Sequence, residues 1–409
     1  MSAVPPPVPV AELDLPLLEM DADRDVRIQS VRDARSRHWL ARGMLGYAVT
    51  GYDDVVAILR DKRWHSAASL AAQLSGVTDP EFTSQQRQSI LSAEGEVHTR
   101  LRRLVAPAFS PRAADRLRPY MREVINGLVD AVADEGRCEF VGAVCEPYPI
   151  PIICELLGAP KEDWRLFSRW AADLLRIFDF DLAANYRLVM QAGRELEQYS
   201  TRLIEQRRQL PADDLLTDLI AAEESGDRLS HDELISMVNS VIVGGTDTTR
   251  NQLACSVALL SRHPDQWRLL AERPELAPRA VEETMRVLGA IRGTVRFASE
   301  DIEYREVLFP KGALIAVSTW AANRDPDTWS DPDGFDITRE PSGQPQLTFG
   351  SGIHYCLGAS LARAELQEAL PILARRMPNL EVDGEVLWKP DGVAIWGPAS
   401  LPIRFTPAS

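Results

Sequence analysis

The sequence is short of positive charge, of paired cysteines and of long apolar runs, and each shortage removes a class of protein. Its 409 residues carry 45 basic and 60 acidic side chains, a formal charge of -15. That average field repels a nucleic-acid duplex or an anionic membrane surface, and no basic run reverses it locally. No stretch approaches the roughly 18 uninterrupted apolar residues of a membrane helix. The amino terminus, MSAVPPPVPVAELDLP, lacks a basic start and an apolar core, so it reads as a Pro-rich extended arm, not a secretory signal. Five cysteines (Cys138, Cys145, Cys154, Cys255 and Cys356) are scattered without a CxxC pair. They argue against a disulfide scaffold or a structural zinc site and for a reducing cytoplasm. Small buried hydrophobes are the ordinary reading for four of them. No internal repeat, low-complexity block or linker divides the chain.

Amphipathic helical periodicity is what the sequence does have. It predicts helices over 21–37, 52–61, 96–106, 111–134, 162–176, 182–208, 214–223 and 358–376. A longer helix starts at the capping box Ser230-His231-Asp232-Glu233 and runs to about Ser261, where His263-Pro264 stops it. HWLARGMLGYAVTGY has the texture of a short hairpin, and strands are expected near 294–298, 301–307 and 313–318. The stretch from Asp325 to Gln344, rich in Pro, Asp and Gly, reads as an ordered meander. The expected fold is mainly α with smaller β-sheets: an extended arm over 1–20 and one large domain over 21–409.

The densest chemistry lies in Phe349-Gly350-Ser351-Gly352-Ile353-His354-Tyr355-Cys356-Leu357-Gly358. Two glycines in four residues let the backbone turn tightly against something flat and bulky. A helix follows at once, so Cys356 sits where free amides and the helix dipole favour thiolate. Such a thiolate suits an iron ligand that pushes electron density onto the metal, tuned by the amides near Leu357 and Gly358.

Three further groupings call for a reason. Glu283 and Arg286 share a helix face and can pair. Gly244 and Gly245 inside the long helix cost about 1 kcal/mol each relative to alanine, either for close packing or to leave room for a small molecule. Asp247 and Thr248 follow them. His98 and Arg102 lie four apart on one face, a spacing that suits gripping an anion.

FGSGIHYCLGASLARAE closely resembles the haem-binding signature of the cytochrome P450 family, soluble bacterial branch, and the remaining motifs follow in the family's order from about residue 20 to the carboxyl terminus. The resemblance implies a P450 fold and haem b (iron protoporphyrin IX) ligated by Cys356, within a loop that includes Phe349, Gly350 and Gly358. It implies propionate contacts from His98, Arg102, Arg296 and His354. A buried lock of Glu283, Arg286 and Arg339 is expected, and a proton relay of Asp247 and Thr248, with Thr249 structural. The implied enzyme is a monooxygenase of secondary metabolism using dioxygen as co-substrate. A ferredoxin and its NAD(P)H-dependent reductase would supply electrons, and Arg100, Arg103, Arg112 and Arg363 would form the docking patch. The protein is expected to be a cytoplasmic monomer.

The sequence departs from the family at Ala290, where a proline is usual, and at Gln346, where many relatives carry histidine. Beside Ala290, Ile291 is expected to face the substrate. Arg292 could bind a substrate carboxylate or pair with a propionate or an acid. Ile242, Gly244, Gly245 and Trp396, with Trp64, Leu70, Phe178 and Phe180, make a mostly apolar set of pocket candidates that suits a hydrophobic small molecule. Two other functions stand beside the leading one. A peroxide-using peroxygenase would typically lack the Asp247-Thr248 pair, and a catalytically silent haem protein would usually have lost that pair, the Glu-x-x-Arg pair or the cysteine.

Overall fold

The computed structural model describes residues 6–19, 24–80, 82, 89–179, 182–224, 229–341, 343–391 and 394–407. Among these, the helices of nine residues or more are α1 (Arg24–Arg37), α2 (Tyr52–Arg60), α3 (Gly95–Val105), α4 (Pro111–Ala133), α5 (Pro149–Leu157), α6 (Trp164–Leu175), α7 (Leu182–Gln209), α8 (Leu215–Glu224), α9 (His231–Leu260), α10 (Pro264–Glu272), α11 (Ala277–Val287) and α12 (Ala359–Arg376). Those anticipated from periodicity fall within about two residues of expectation; the first three expected residues of α1 lie outside the described residues. The helix α5 was not anticipated. Its prolines occupy the first turn, where the amide they lack would have no helical partner.

The helix α9 is the spine. Its capping box is formed: Ser230 Oγ accepts from the Glu233 amide at 3.2 Å, and the Glu233 carboxylate accepts from the Ser230 amide at 2.9 Å. From Leu253 to Leu260 every residue is buried, because α5, α6, α11 and α12 pack around it in the main core. A second core joins the five-stranded sheet to the amino-terminal segment. That sheet runs in the order Leu40–Gly43, Gly46–Val49, Leu314–Val317, Thr294–Ala298, Trp64–Ser66. The arm belongs to a separate three-stranded sheet: Val8–Pro9 pairs in parallel with Val307–Leu308, and Val10 and Leu15 are buried in the second core. The single strand expected over 301–307 is two, Ile302–Tyr304 and Val307–Phe309. Arg305 and Glu306 turn the chain between them at φ 46° and 61°.

The Asp325–Gln344 meander forms no helix or strand among its described residues, and its carbonyls serve a buried ion pair instead. Arg286, 1% exposed, donates both Nε and Nη2 to Glu283 at 2.8 Å. Its other donors reach the carbonyls of Asn323, Pro332 and Gly334 at 3.1, 2.6 and 2.6 Å. Arg339 Nε donates to the same Glu283 carboxylate at 3.0 Å. Every guanidinium proton of Arg286 is thereby satisfied, which is the condition for burying it. Glu283→Ala would strand two cations, and unfolding curves should show a loss of about 3–5 kcal/mol; a loss below about 1 kcal/mol would contradict the lock.

Candidate active site

The cysteine loop folds back on itself before α12. The Gly350 amide donates to Leu347 O at 2.8 Å and the Cys356 amide to Phe349 O at 2.9 Å. Gly350 and Gly352 take φ of 72° and 73°. At Gly352 a Cβ would overlap the Leu59 carbonyl, so only glycine allows α2 to approach this closely. The ring of Phe349 lies under the Arg363 guanidinium at 4.5 Å. Burial pushes the Cys356 thiol up from its ordinary value, opposed by the Gly358 amide and by the charges of Arg102 and Arg363. The helix start favours the anion, as the sequence implied, but desolvation outweighs it until a cation binds the sulfur.

Beside this loop the structure gathers the four predicted anion-binding side chains. The rings of His98 and His354 are 4.5 Å apart. Arg102 donates to the Tyr355 carbonyl. Arg296 lies on the strand paired with Ser66, whose amide donates to Glu94 Oε1 at 2.7 Å. His354 Nε2 is 3.0 Å from the same carboxylate oxygen. Glu94 was missed by the sequence reading; its signal was an acid at the start of the helix that carries His98. Burial, then His354 and Arg102, lower His98 to about 4, so it is neutral at pH 7 and can donate a hydrogen bond. Burial lowers Arg296 to about 10. Its partners are Thr294 Oγ1 and Val295 O at 3.0 and 3.2 Å, and no carboxylate among the described residues pairs with it.

On α9 the two glycines do different things. A Cβ at Gly245 would overlap Ile153 of α5, so this glycine permits close helix packing. A Cβ at Gly244 would meet nothing within 4 Å. Ile242 has no exposed surface and belongs to the main core. Of these pocket candidates, Ile242 and Gly245 pack against the core and Gly244 borders open space. Thr248 Oγ1 donates to Gly244 O at 2.8 Å. Asp247, 5% exposed, is ion-paired with Arg250 and lies 3.7 Å from Lys389. Asn251 Nδ2 also donates to its carboxylate at 3.2 Å.

The carboxyl-terminal hairpin closes this side. Ile291 bridges to Ile395, and the Trp396 amide donates to Ala290 O at 2.9 Å. Trp396 stacks on Trp388 at 4.5 Å, and Arg292 lies over Trp396 at 4.6 Å. Of the partners considered for Arg292, the structure shows an acid of the protein: Nη1 donates to Asp391 at 2.8 Å. Trp64 is not a pocket residue, being 3% exposed and edge-on to Phe309. Leu70 lines a cleft of about 430 Å³ with Ala72 and Val77. Phe178 ends the turn after α6, half-buried. Phe180 lies outside the described residues.

Comparison with known proteins decides the family. Residues 162–377 match the family model described as Cytochrome P450. The chain is 38% identical to nocardicin C N-oxygenase of Nocardia uniformis subsp. tsuyamanensis, over 88% of this chain and 89% of that one. It is 35% identical to luteothin monooxygenase of Streptomyces thioluteus, over 96% of both. The crystal structure of CalO2 superposes with a TM-score of 0.89 at 32% identity, covering 97% of this chain and all of that one. The chain belongs to the cytochrome P450 family. It is a monooxygenase whose cofactor is haem b and whose co-substrate is dioxygen.

The residues of this P450 fit that group. Arg296 is a buried cation with no ion-pair partner among the described residues, and the charge of one carboxylate, Glu94, reaches it as well as His98 and His354. Two propionates would offset the charges of Arg102 and Arg296, and the Cys356 sulfur would hold the iron. A buried acid behind the loop was also missed by the sequence reading. Burial pushes Glu365 up to about 8, against a hydrogen bond with Thr249. It folds protonated, so the stability it contributes is full below its ordinary value of 4.5 and lost as pH rises through about 8. Glu365→Gln should therefore flatten the fall of Tm across that window; an unchanged slope would contradict this burial. Arg296→Leu should speed haem transfer to apomyoglobin about tenfold, and an unchanged rate would contradict the propionate role.

Proposed function

We propose that this P450 inserts one oxygen atom into an apolar small organic molecule, by hydroxylation or epoxidation, with Asp247 and Thr248 as its proton relay. The observation that carries the reading is the run on one turn of α9: open space at Gly244, the Thr248 hydroxyl bonded to Gly244 O, and the enclosed Asp247 carboxylate beside it. Haem b, when bound by Cys356 and the basic cluster, supplies the activation of dioxygen. The chain's own residues do the rest. The Thr248 hydroxyl proton is committed to Gly244 O, so what this side chain offers a neighbouring water is a lone pair. Arg250 pairs with Asp247 and, at 3.3 Å, with the partly exposed Glu146, so the relay acid lies one guanidinium away from a carboxylate that meets solvent.

Electrons reach this site, in the same reading, from a ferredoxin and its NAD(P)H-dependent reductase in the cytoplasm, with the P450 acting as a monomer. Two of the four arginines expected in the docking patch have partners within the protein. Arg100 is bound to Glu233, and Arg363 to Glu282 at 2.6 Å. Arg103 and Arg112 remain exposed and supply the steering charge. Reversing both should slow reduction at low salt and weaken its salt dependence; unchanged rates would remove the patch.

The relay is tested by two substitutions. Asp247→Asn should lower product formation about 100-fold. Thr248→Ala should keep NAD(P)H oxidation but divert its electrons to hydrogen peroxide. Full coupling in both variants would contradict the relay.

A further inference from the structure

Arg363, expected from the sequence to steer a redox partner, is held against the cysteine loop. Its Nε and Nη2 donate to the two carboxylate oxygens of Glu282 at 2.6 and 3.0 Å, joining α12 to α11. Its Nη1 donates to the Tyr355 hydroxyl at 2.9 Å, and its guanidinium lies 4.5 Å from the centre of the Phe349 ring. Tyr355 directly precedes Cys356, and Phe349 O accepts from the Cys356 amide. Arg363 thus touches the loop at both ends of the turn that carries the sulfur. Its side chain is 25% exposed, against 37% for Glu282, so the cation is the inner member of the pair and the anion the outer.

Glu282 is fixed in turn by the residue at which the sequence departs from the family. Gln346 is buried, and its Nε2 donates to Glu282 Oε2 at 3.1 Å. Its Oε1 accepts from the Thr348 amide at 2.6 Å, which leaves the carboxamide one orientation. A carboxamide here supplies a donor and no charge, so it places the acid without altering the charge of the pair.

Charges placed in this way act on the sulfur. Burial raises the Cys356 thiol, and the Gly358 amide, Arg102 and Arg363 oppose it. The same field reaches an iron bound to that sulfur. Its one-electron reduction adds a negative charge to the site, breaks no bond and takes up no proton. A nearby cation favours the reduced state, and an anion opposes it.

We infer that the Glu282–Arg363 pair, cation inward, sets the reduction potential of the haem that Cys356 holds, so that Arg363 governs how readily an electron is accepted rather than which partner brings it. This rests on ligation of haem iron by Cys356. Arg363 raises the potential, and Glu282 partly cancels it from outside.

The test is a redox titration of the haem-loaded protein with dithionite and mediator dyes, with no ferredoxin present, so that docking contributes nothing. Arg363→Leu should lower the ratio of reduced to ferric protein at the parent's midpoint about tenfold, a fall of about 59 mV. Arg363→Lys keeps the charge and should stay within about threefold of the parent. Glu282→Gln leaves the cation uncancelled and should raise the ratio about threefold. A merely structural tie between α11 and α12 is weakened in Arg363→Leu and Glu282→Gln alike, and would move both in one direction or neither. Shifts of the same sign in those two variants, or an unchanged potential in Arg363→Leu, would therefore overturn the inference. Should Arg363→Leu fail to hold haem, Glu282→Gln decides: a raised potential supports the inference, and an unchanged or lowered one overturns it. A parent without the thiolate band in its reduced carbon monoxide spectrum would remove the Cys356 reading instead, a separate result.

Discussion

Burial of the Cys356 sulfur raises its thiol against the Gly358 amide and the guanidiniums of Arg102 and Arg363, and the surrounding architecture follows from that conflict. A sulfur in water would ionise more easily but would be free to oxidise and to move. Held in the core, it needs a cation to become a thiolate, and it needs a backbone rigid enough to keep it in place. The rigidity comes from Gly352, where α2 touches the loop with no space for a side chain. It also comes from the Glu283–Arg286–Arg339 lock, which ties α11 to the meander leading into that loop.

The same accounting of charge explains the cluster around the loop. His98, Arg102, Arg296 and His354 bring more basic groups together than Glu94 can neutralise, in a protein whose net charge is -15. Such an excess is costly in a low-dielectric interior unless anions arrive. Two haem propionates would supply them, and the cofactor would then offset a charge excess that the apoprotein carries. On the opposite side the polarity is reversed: Asp247 is a buried anion held by Arg250 and Lys389.

Much of this was legible from local spacing. The cysteine loop, the i,i+3 pair of Glu283 and Arg286 and the capping box of α9 are short-range patterns, and backbone geometry fixes their partners. What escaped was long-range. His354 finds Glu94 across 260 residues, and Arg292 finds Asp391 across 99, so neither partner could be read from spacing. Lys389 drew no notice for the same reason. Gly244 and Gly245 look identical as letters. One residue of helical rotation, about 100°, turns one toward open space and the other into Ile153. The helix α5 was hidden by prolines that only its first turn could tolerate. The break at Arg305-Glu306 was hidden because neither residue type advertises a positive φ.

The central claim, that Cys356 binds haem iron as a thiolate, is tested most directly by the absorption spectrum of the purified, reduced protein under carbon monoxide. The account predicts the red-shifted Soret band of a thiolate-ligated carbonyl complex, and its loss in Cys356→Ser while haem is still bound. A parent spectrum with the band of a nitrogen-ligated haem, or a thiolate band that survives Cys356→Ser, would contradict it.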